Sequence, residues 1–167
     1  MRYLCIVLIL LCSSLAEAKS YIKYIDDPKT VGKTRLEVLF WDIYDAELVA
    51  PKGQWSKDKP FALSLTYLRA FDGKEIASRS IDEIRDLGME DERKLAKWFE
   101  QMQILFPDVK EGNTITGIVD DRAYSIFYFD EQRLGVVEDP EFSQWFFDIW
   151  LSEKSSEPKM RKRLLGL

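Results

Sequence analysis

Histidine and cysteine, two side chains that enzymes use as base and nucleophile, are absent from this sequence or confined to its first residues. It has no histidine, and its only two cysteines, Cys5 and Cys12, lie within the first 18 residues. Those residues are typical of a secretory signal, with a positive charge at Arg2, an apolar run and small residues in Ala16-Glu17-Ala18. After cleavage before Lys19 the chain has neither thiol nor imidazole. This excludes a cysteine nucleophile, a Ser-His-Asp relay, a histidine base and the usual nitrogen-sulfur zinc site.

The apolar segment predicts export rather than anchoring. A transmembrane helix requires about 20 apolar residues, whereas this run ends sooner, at the polar pair Ser13-Ser14. A lipoprotein signal would use Cys12, but the bulky Leu11 precedes it where such signals have a small residue. We therefore predict a cleaved signal peptide over residues 1–18, a single domain over residues 19–167 and a periplasmic location. The mature protein should have no transmembrane anchor and no disulfide.

Clustered carboxylates are a further set of groups that could bind calcium or transfer protons. They occur at residues 26–27, 90–92 and 120–121. None of the clusters has the spacing of a calcium-binding loop, and turns and helix starts account for all three. We predict neither a metal site nor a cofactor.

Composition and charge limit the class of partner. A hydrophobic content of 46% is typical of a globular protein, and a net charge of −5 argues against a nucleic-acid partner. The one basic cluster spans residues 159–163 near the C-terminus. Its cations suit the C-terminal end of a helix, with contact to anionic lipid head groups as the alternative.

Two kinds of periodicity alternate along the chain. Period-two alternation predicts strands at residues 34–41, 43–50, 61–69, 114–119, 123–129 and 133–137. Helical spacing predicts helices at 74–87, between Asp91 and Pro107, from Pro140 to Trp150, and at 157–165. The helix at 74–87 has few apolar residues and is expected to be mostly exposed. This order of elements predicts an α+β fold in which helices cover one side of an antiparallel sheet.

Two segments carry a resemblance to a known superfamily. The run Gly32–Leu48, GKTRLEVLFWDIYDAEL, resembles the glycine-to-tyrosine double strand of the chalcone isomerase-like superfamily, especially its short exported bacterial branch. The run from Phe147 to Gly166 is similar to the closing helices of that branch, with Ser152 where a glycine is commoner. The resemblance implies an open-faced β-sandwich of the chalcone isomerase type, with a cleft between the antiparallel sheet and its helices.

In the plant enzymes of that superfamily the cleft closes a chalcone into a flavanone, and other branches bind fatty acids there without chemistry. Counting five residues back from Tyr44, where the enzymes have a cleft threonine, gives Leu39. Their helical tyrosine, lysine and asparagine correspond to Ile76, Arg79 and Glu83. Leu39 and Ile76 donate no hydrogen bonds, and the enzymes' arginine has no counterpart at residues 21–31. Because the reaction needs preorganised donors, we do not expect chalcone isomerase activity.

The same positions predict a binding cleft. Arg79 lies one helical turn after Ile76, so an apolar tail would contact the isoleucine while the guanidinium holds an anionic head group. Tyr44, Tyr67 and Arg69, which lie on predicted strands, are further candidates for this cleft. The candidate ligand-binding residues are Leu39, Tyr44, Tyr67, Arg69, Ile76 and Arg79. The alternatives are that the tyrosines pack at the edge of the core and that the arginines are solvated.

Three functions stay open at this point. The first is a non-catalytic periplasmic protein that binds a small apolar or amphiphilic ligand, such as a fatty acid, in the cleft between sheet and helices. The second is an envelope interaction or accessory protein whose own side chains fill the cleft. The third is an isomerase or lyase. An empty apolar cavity would favour a ligand, and packed aromatic side chains would favour a protein partner.

The exported protein should begin at Lys19 or within a residue or two of it, because Ala16-Glu17-Ala18 fits the cleavage rule. Intact mass spectrometry of the exported protein measures the N-terminus. A product that retains Cys12 with attached acyl chains would contradict this prediction.

Overall fold

The computed structural model describes residues 19–167, which form an antiparallel sheet with helices on one face. The sheet is a meander of six strands in chain order, each hydrogen-bonded to the next. The strands are β1 (Pro28–Val38), β2 (Trp41–Pro51), β3 (Phe61–Tyr67), β4 (Thr114–Val119), β5 (Ser125–Phe129) and β6 (Gln132–Val137). A short 3-10 helix, Ser20–Lys23, precedes the sheet. The predicted α+β class and the helix-covered antiparallel sheet are confirmed.

Each α-helix within residues 19–167 is preceded by a carboxylate at its N-cap position. They are α1 (Gly73–Asp86), α2 (Glu92–Leu105), α3 (Pro140–Leu151) and α4 (Pro158–Leu164). Asp91 and Asp139 each accept hydrogen bonds from two backbone N–H groups at the start of α2 and α3. Asp72 and Glu75 form a capping box at α1. These caps satisfy N–H groups that have no partner inside a helix.

Alternation along β3 assigns its residues to the two faces of the sheet. Phe61, Leu63, Leu65 and Tyr67 belong to the main core under the helices. Ala62 faces the opposite side. A smaller cluster forms there beneath the N-terminal segment, from Ile25, Val49, Ala62, Ile118, Ile126 and Tyr128.

Aromatic side chains of α3 form the centre of the main core. Phe127 of β5 is fully buried, and its ring centroid lies 5.1 Å from that of Phe106 and 5.4 Å from that of Phe146. Phe142 and Phe146 stack at 5.3 Å. Because such pairs bury large apolar areas in defined geometry, they hold α3 firmly against β5.

The first hairpin turns earlier than the periodicity predicts. Val38 pairs with Trp41, so the chain reverses at Leu39-Phe40, and β1 ends at Val38. The predicted strand at 34–41 therefore included the turn. The alternation signal could not show this, because neither Leu39 nor Phe40 is a residue that two-residue turns favour.

Helix α1 is more buried than predicted. Its inner face includes Ala77, Ser80, Ile81, Glu83 and Ile84, all buried. Small and polar residues supply much of this face, so a count of apolar positions underestimates its burial. The expectation of a mostly exposed helix is wrong for this reason.

The predicted signal peptide, residues 1–18 with both cysteines, lies outside the described residues. None of the helices between residues 19 and 167 has the length and apolarity needed to span a bilayer. The assignment of residues 19–167 to a single domain stays a prediction.

Gly32 is a point of close approach between α4 and β1. A Cβ atom there would lie 2.6 Å from the carbonyl oxygen of Leu164 and closer still to that of Arg163. Gly32→Ala should push α4 away from the sheet and lower the free energy of unfolding by about 1–3 kcal/mol, as overpacking does. Urea denaturation measures the change. Lys33→Ala is the control, because Lys33 is exposed and forms a surface ion pair with Glu47, so its effect should stay within about 0.5 kcal/mol. Equal stabilities for Gly32→Ala and the wild type would contradict this role of Gly32.

Candidate functional site

A cavity of about 690 Å³ lies between the sheet and the helices. Strands β1 to β4 form its floor, and α1, α3 and the segment leading into α4 form the facing walls. The lining residues of the sheet are Leu36, Val38, Ile43, Tyr44, Leu65, Tyr67 and Ile115. Those of the helices and loops include Phe71, Glu75, Ile76, Arg79, Ser80, Asp82, Glu83, Phe106, Phe146, Ile149, Trp150, Ser156, Glu157 and Met160. Among the described residues the cleft is open space and is not filled by side chains.

Helical spacing brings several residues of α1 to the cavity. Ile76, Arg79, Ser80 and Glu83 are three or four positions apart, so they share one side of the helix. The Ser80 hydroxyl donates to the Ile76 carbonyl oxygen at 2.8 Å, which satisfies it within the helix. Toward the sheet, helix α1 thus presents the medium-sized apolar Ile76 and the small Ser80, and space remains between the helix and the sheet.

Two tyrosines give the apolar floor its polar groups. Tyr44 Oη accepts a hydrogen bond from Trp150 Nε1 at 2.9 Å, and its own proton stays available to a ligand. The rings of Tyr44 and Tyr67 meet edge to face with centroids 5.9 Å apart. Burial raises the pKa of both hydroxyls above the ordinary value of 10.0. Both are therefore neutral at physiological pH, where they can donate hydrogen bonds but cannot act as phenolate bases.

Beside the cavity, Glu83 forms an ion pair within α1 and a hydrogen bond to the segment before α4. Arg79 Nη2 donates to Glu83 Oε1, and the Ser156 hydroxyl donates to Glu83 Oε2 at 2.8 Å. The Glu83 side chain is 11% exposed and that of Arg79 71% exposed. Both carboxylate oxygens of Glu83 thus have partners. The exposed guanidinium has further N–H groups with which to bind a ligand.

Carboxylates outnumber cations around the cavity. Glu75, Asp82, Glu83 and Glu157 line it, and Arg79 is the single cation among the described lining residues. An anionic head group would be repelled by the carboxylates except close to the guanidinium. The charge distribution therefore restricts such a head group to the surroundings of Arg79.

Four of the six predicted ligand-binding residues line this cavity. They are Tyr44, Tyr67, Ile76 and Arg79. The structure brings them together from two strands and one helix. Their part in ligand binding stays a prediction.

Leu39 and Arg69 lie outside the lining of the cavity, contrary to expectation. Leu39 occupies the turn after β1, where its φ is 58° and the residue is 86% exposed. Arg69 follows β3, and its guanidinium stacks on the Trp41 ring, 4.1 Å from the centroid. The alignment with the enzymes assumed an unbroken strand through Leu39. The argument from Leu39 against chalcone cyclisation therefore lacks structural support, whereas Ile76 lines the cavity and donates no hydrogen bond.

Most of the lining residues were not predicted, among them Trp150, Ser156 and Glu157. The Trp150 indole donates a hydrogen bond to the Tyr44 hydroxyl. Ser156 and Glu157 lie before α4 and reach the cavity only through the folding of the chain. The sequence contains no local signal for these contacts, because the partners are far apart along the chain.

The clustered carboxylates have structural partners. Asp91 caps α2, and Asp120 accepts hydrogen bonds from the backbone N–H groups of Arg122 and Tyr124. No cluster of three or more potential ligands is arranged to hold a metal ion within residues 19–167. The observed partners support a structural role for Asp91 and Asp120.

The fold and the cleft together define a class: an open antiparallel sheet whose helices enclose an apolar cavity. The sequence profile of the chalcone isomerase-like family matches residues 34–166. The chain belongs to the chalcone isomerase-like family. This confirms the family that the double strand and the closing helices resemble.

Two individual proteins extend the comparison. The chain is 31% identical over 126 residues to an uncharacterized protein of Haemophilus influenzae. That match covers 74% of this chain and 61% of the relative, so the chain spans less than two thirds of the relative's length. The structure is also similar to that of the fatty-acid binding protein AtFAP1 of Arabidopsis thaliana, with a TM-score of 0.64 and 12% identity over 84% of this chain and 87% of the other. At that identity the likeness shows a shared fold.

Ionisation of Tyr67 should destabilise the protein at alkaline pH. Burial raises its pKa in the folded state, so the unfolded chain loses this proton first, and the free energy of unfolding falls as the pH rises above 10.0. Tyr67→Phe removes this contribution. Its stability should fall less steeply above that pH, by up to about 1.4 kcal/mol per pH unit relative to the wild type. Urea denaturation at stepped pH measures both slopes, and equal slopes would contradict the prediction.

Proposed function

We propose that this protein binds a small apolar or amphiphilic molecule, such as a fatty acid, in the sheet-helix cavity without transforming it. The open cavity carries this proposal. Its volume of about 690 Å³ lies within the range of about 300–1,000 Å³ that is usual for small-molecule pockets. An apolar interior with a few polar groups at its side suits a ligand with a long tail and a compact head.

The lining suggests how such a ligand would lie. The tail would contact aliphatic residues of the floor and of α3, among them Leu36, Leu65 and Ile149. A carboxylate head would pair with Arg79, the single cation among the described lining residues. The Tyr44 hydroxyl offers a second hydrogen-bond donor deeper in the cavity.

The comparisons support the class of ligand. AtFAP1 is a fatty-acid binding protein by its name, and it shares this fold. Membership of the chalcone isomerase-like family fits a non-catalytic binder as well. A periplasmic location is part of the proposal and is supported by the signal-like residues 1–18.

The two other functions have weaker support in the site. An accessory protein with a filled cleft would need side chains in the space that the cavity occupies. An isomerase or lyase would need a base, yet burial keeps the Tyr44 and Tyr67 hydroxyls protonated, and the Glu83 carboxylate is held by Arg79 and Ser156.

A fluorescent long-chain fatty acid should bind the purified protein, and Ile76→Trp should reduce the affinity by about tenfold or more because the indole occupies the tail's space. Ile104→Trp is the matched control, since Ile104 is 85% exposed on α2 and does not line the cavity. Fluorescence titration compares the three proteins. No binding by the wild type would favour the accessory-protein function, and equal binding by all three would place the ligand elsewhere.

The head group can be tested at the ion pair. Arg79→Ala should weaken fatty-acid binding about fivefold, the scale of an exposed pair worth up to about 1 kcal/mol. Glu83→Gln should tighten it by a similar factor, because it removes the competing charge while the amide oxygen still accepts from Ser156. The uncharged fatty alcohol should bind all three proteins alike. If neither substitution changes fatty-acid affinity, Arg79 is a solvated residue and not part of the site.

A further inference from the structure

The tip of the β1–β2 hairpin exposes four consecutive apolar side chains. Val38 is 47% exposed, Leu39 86%, Phe40 98% and Trp41 58%. The other large exposed hydrophobic residues of the described chain, such as Ile104, stand singly. Scattered apolar residues are ordinary on a protein surface, whereas a contiguous run indicates an interaction site. We call residues 38–41 the hairpin tip.

Folding alone does not account for these residue types. Two-residue hairpin turns favour glycine, asparagine and aspartate, which adopt left-handed conformations easily. Leu39 has a φ of 58°, an unfavourable conformation for a leucine. Leu39 and Phe40 bury little in this protein, so their apolar character serves neither the turn nor the core.

The hairpin tip is continuous with the cavity. Val38 belongs to the tip and also lines the cavity, beside Leu36 on the same strand and Ile43 on the next. An apolar surface therefore runs from solvent into the proposed binding space. A tail leaving the cavity on this side would meet the tip.

The base of the tip holds a cation. The Arg69 guanidinium lies over the Trp41 ring, 4.1 Å from its centroid, and forms no ion pair within residues 19–167. Arg35 of β1, by contrast, forms ion pairs with Asp42 at 2.8 Å and Asp45 at 2.6 Å. In a bilayer the phosphates lie outside the acyl region. If the aromatic tip entered the acyl region, the Arg69 guanidinium at its base would lie at the depth of the phosphates.

We propose that the hairpin tip inserts into the surface of a phospholipid bilayer, with Arg69 beside the lipid phosphates and the cavity opening toward the membrane. The tip exposes on the order of 500 Å² of side chain. This is less than the about 800 Å² that each partner contributes to a stable protein interface, so a second copy of the chain is a poorer occupant. Leucine, phenylalanine and tryptophan at a projecting tip suit the membrane interface, where tryptophan is enriched.

Vesicle co-sedimentation of the exported protein tests the proposal without any fatty acid present. The wild type should bind phosphatidylcholine vesicles, and the double variant Leu39→Gly/Phe40→Ser should bind at least about tenfold less. Glycine adopts the positive φ freely, so this variant should fold at least as stably, which urea denaturation verifies. Ile104→Ser is the matched control and should bind within about twofold of the wild type, since it removes an equally exposed apolar side chain elsewhere.

Insertion of the hairpin tip into a bilayer goes beyond ligand binding in the cavity, and either proposal can be wrong without the other. Ile76→Trp, which blocks the cavity, should still bind vesicles as the wild type does. No wild-type binding to phosphatidylcholine, or equal binding by the double variant, would overturn the proposal. So would binding that requires phosphatidylglycerol and disappears in salt, because that pattern indicates surface charge. A wild-type dimer that the double variant abolishes, without vesicle binding, would assign the tip to self-association.

Discussion

The site depends on how α3 is held against the centre of the sheet. Phe127 of β5 meets Phe142 and Phe146 at 6.3 and 5.4 Å, and the Phe147 ring fits over Gly117, where a Cβ atom would lie only 2.9 Å away. These aromatic rings set the distance between the sheet and its helices. Helix α1 lies at a similar distance from β1 to β3. The side chains that it places there, Ile76 and small residues, are too small to fill the space between helix and sheet. The cavity is thus a consequence of aromatic packing next to it.

Glu83 bears on both the stability of the site and its selectivity for ligands. Its carboxylate is nearly buried and is held by Arg79 of its own helix and by Ser156 of the segment before α4. A buried carboxylate without these partners would be costly. The same contact engages the single lining cation of the described cavity, so an anionic ligand must compete for it. A ligand held mainly by its tail therefore suits this lining better than one held by its charge.

If the cavity binds an amphiphile as proposed, the position of the hairpin tip would give that ligand a route from the membrane. Long-chain amphiphiles leave water readily, because exposing their tails costs free energy in proportion to apolar area. A cavity that opens beside an apolar tip would let a tail pass between protein and membrane with little exposure to water. Val38, which belongs to both surfaces, marks the junction.

Local patterns determined the elements of this protein. Alternation predicts β3 and β4, and Asp91 and Asp139 mark the helix starts, because strand periodicity and capping depend on residues close in sequence. The helical spacing of Ile76 and Arg79 likewise predicts a shared face toward the cleft. The true end of β1 was missed because its turn contains strand-like residues. Tertiary structure alone decided the Tyr44 contact with Trp150 and the volume of the cavity, since both depend on groups far apart in the chain. A cavity is the space left between two layers, and no single segment encodes it.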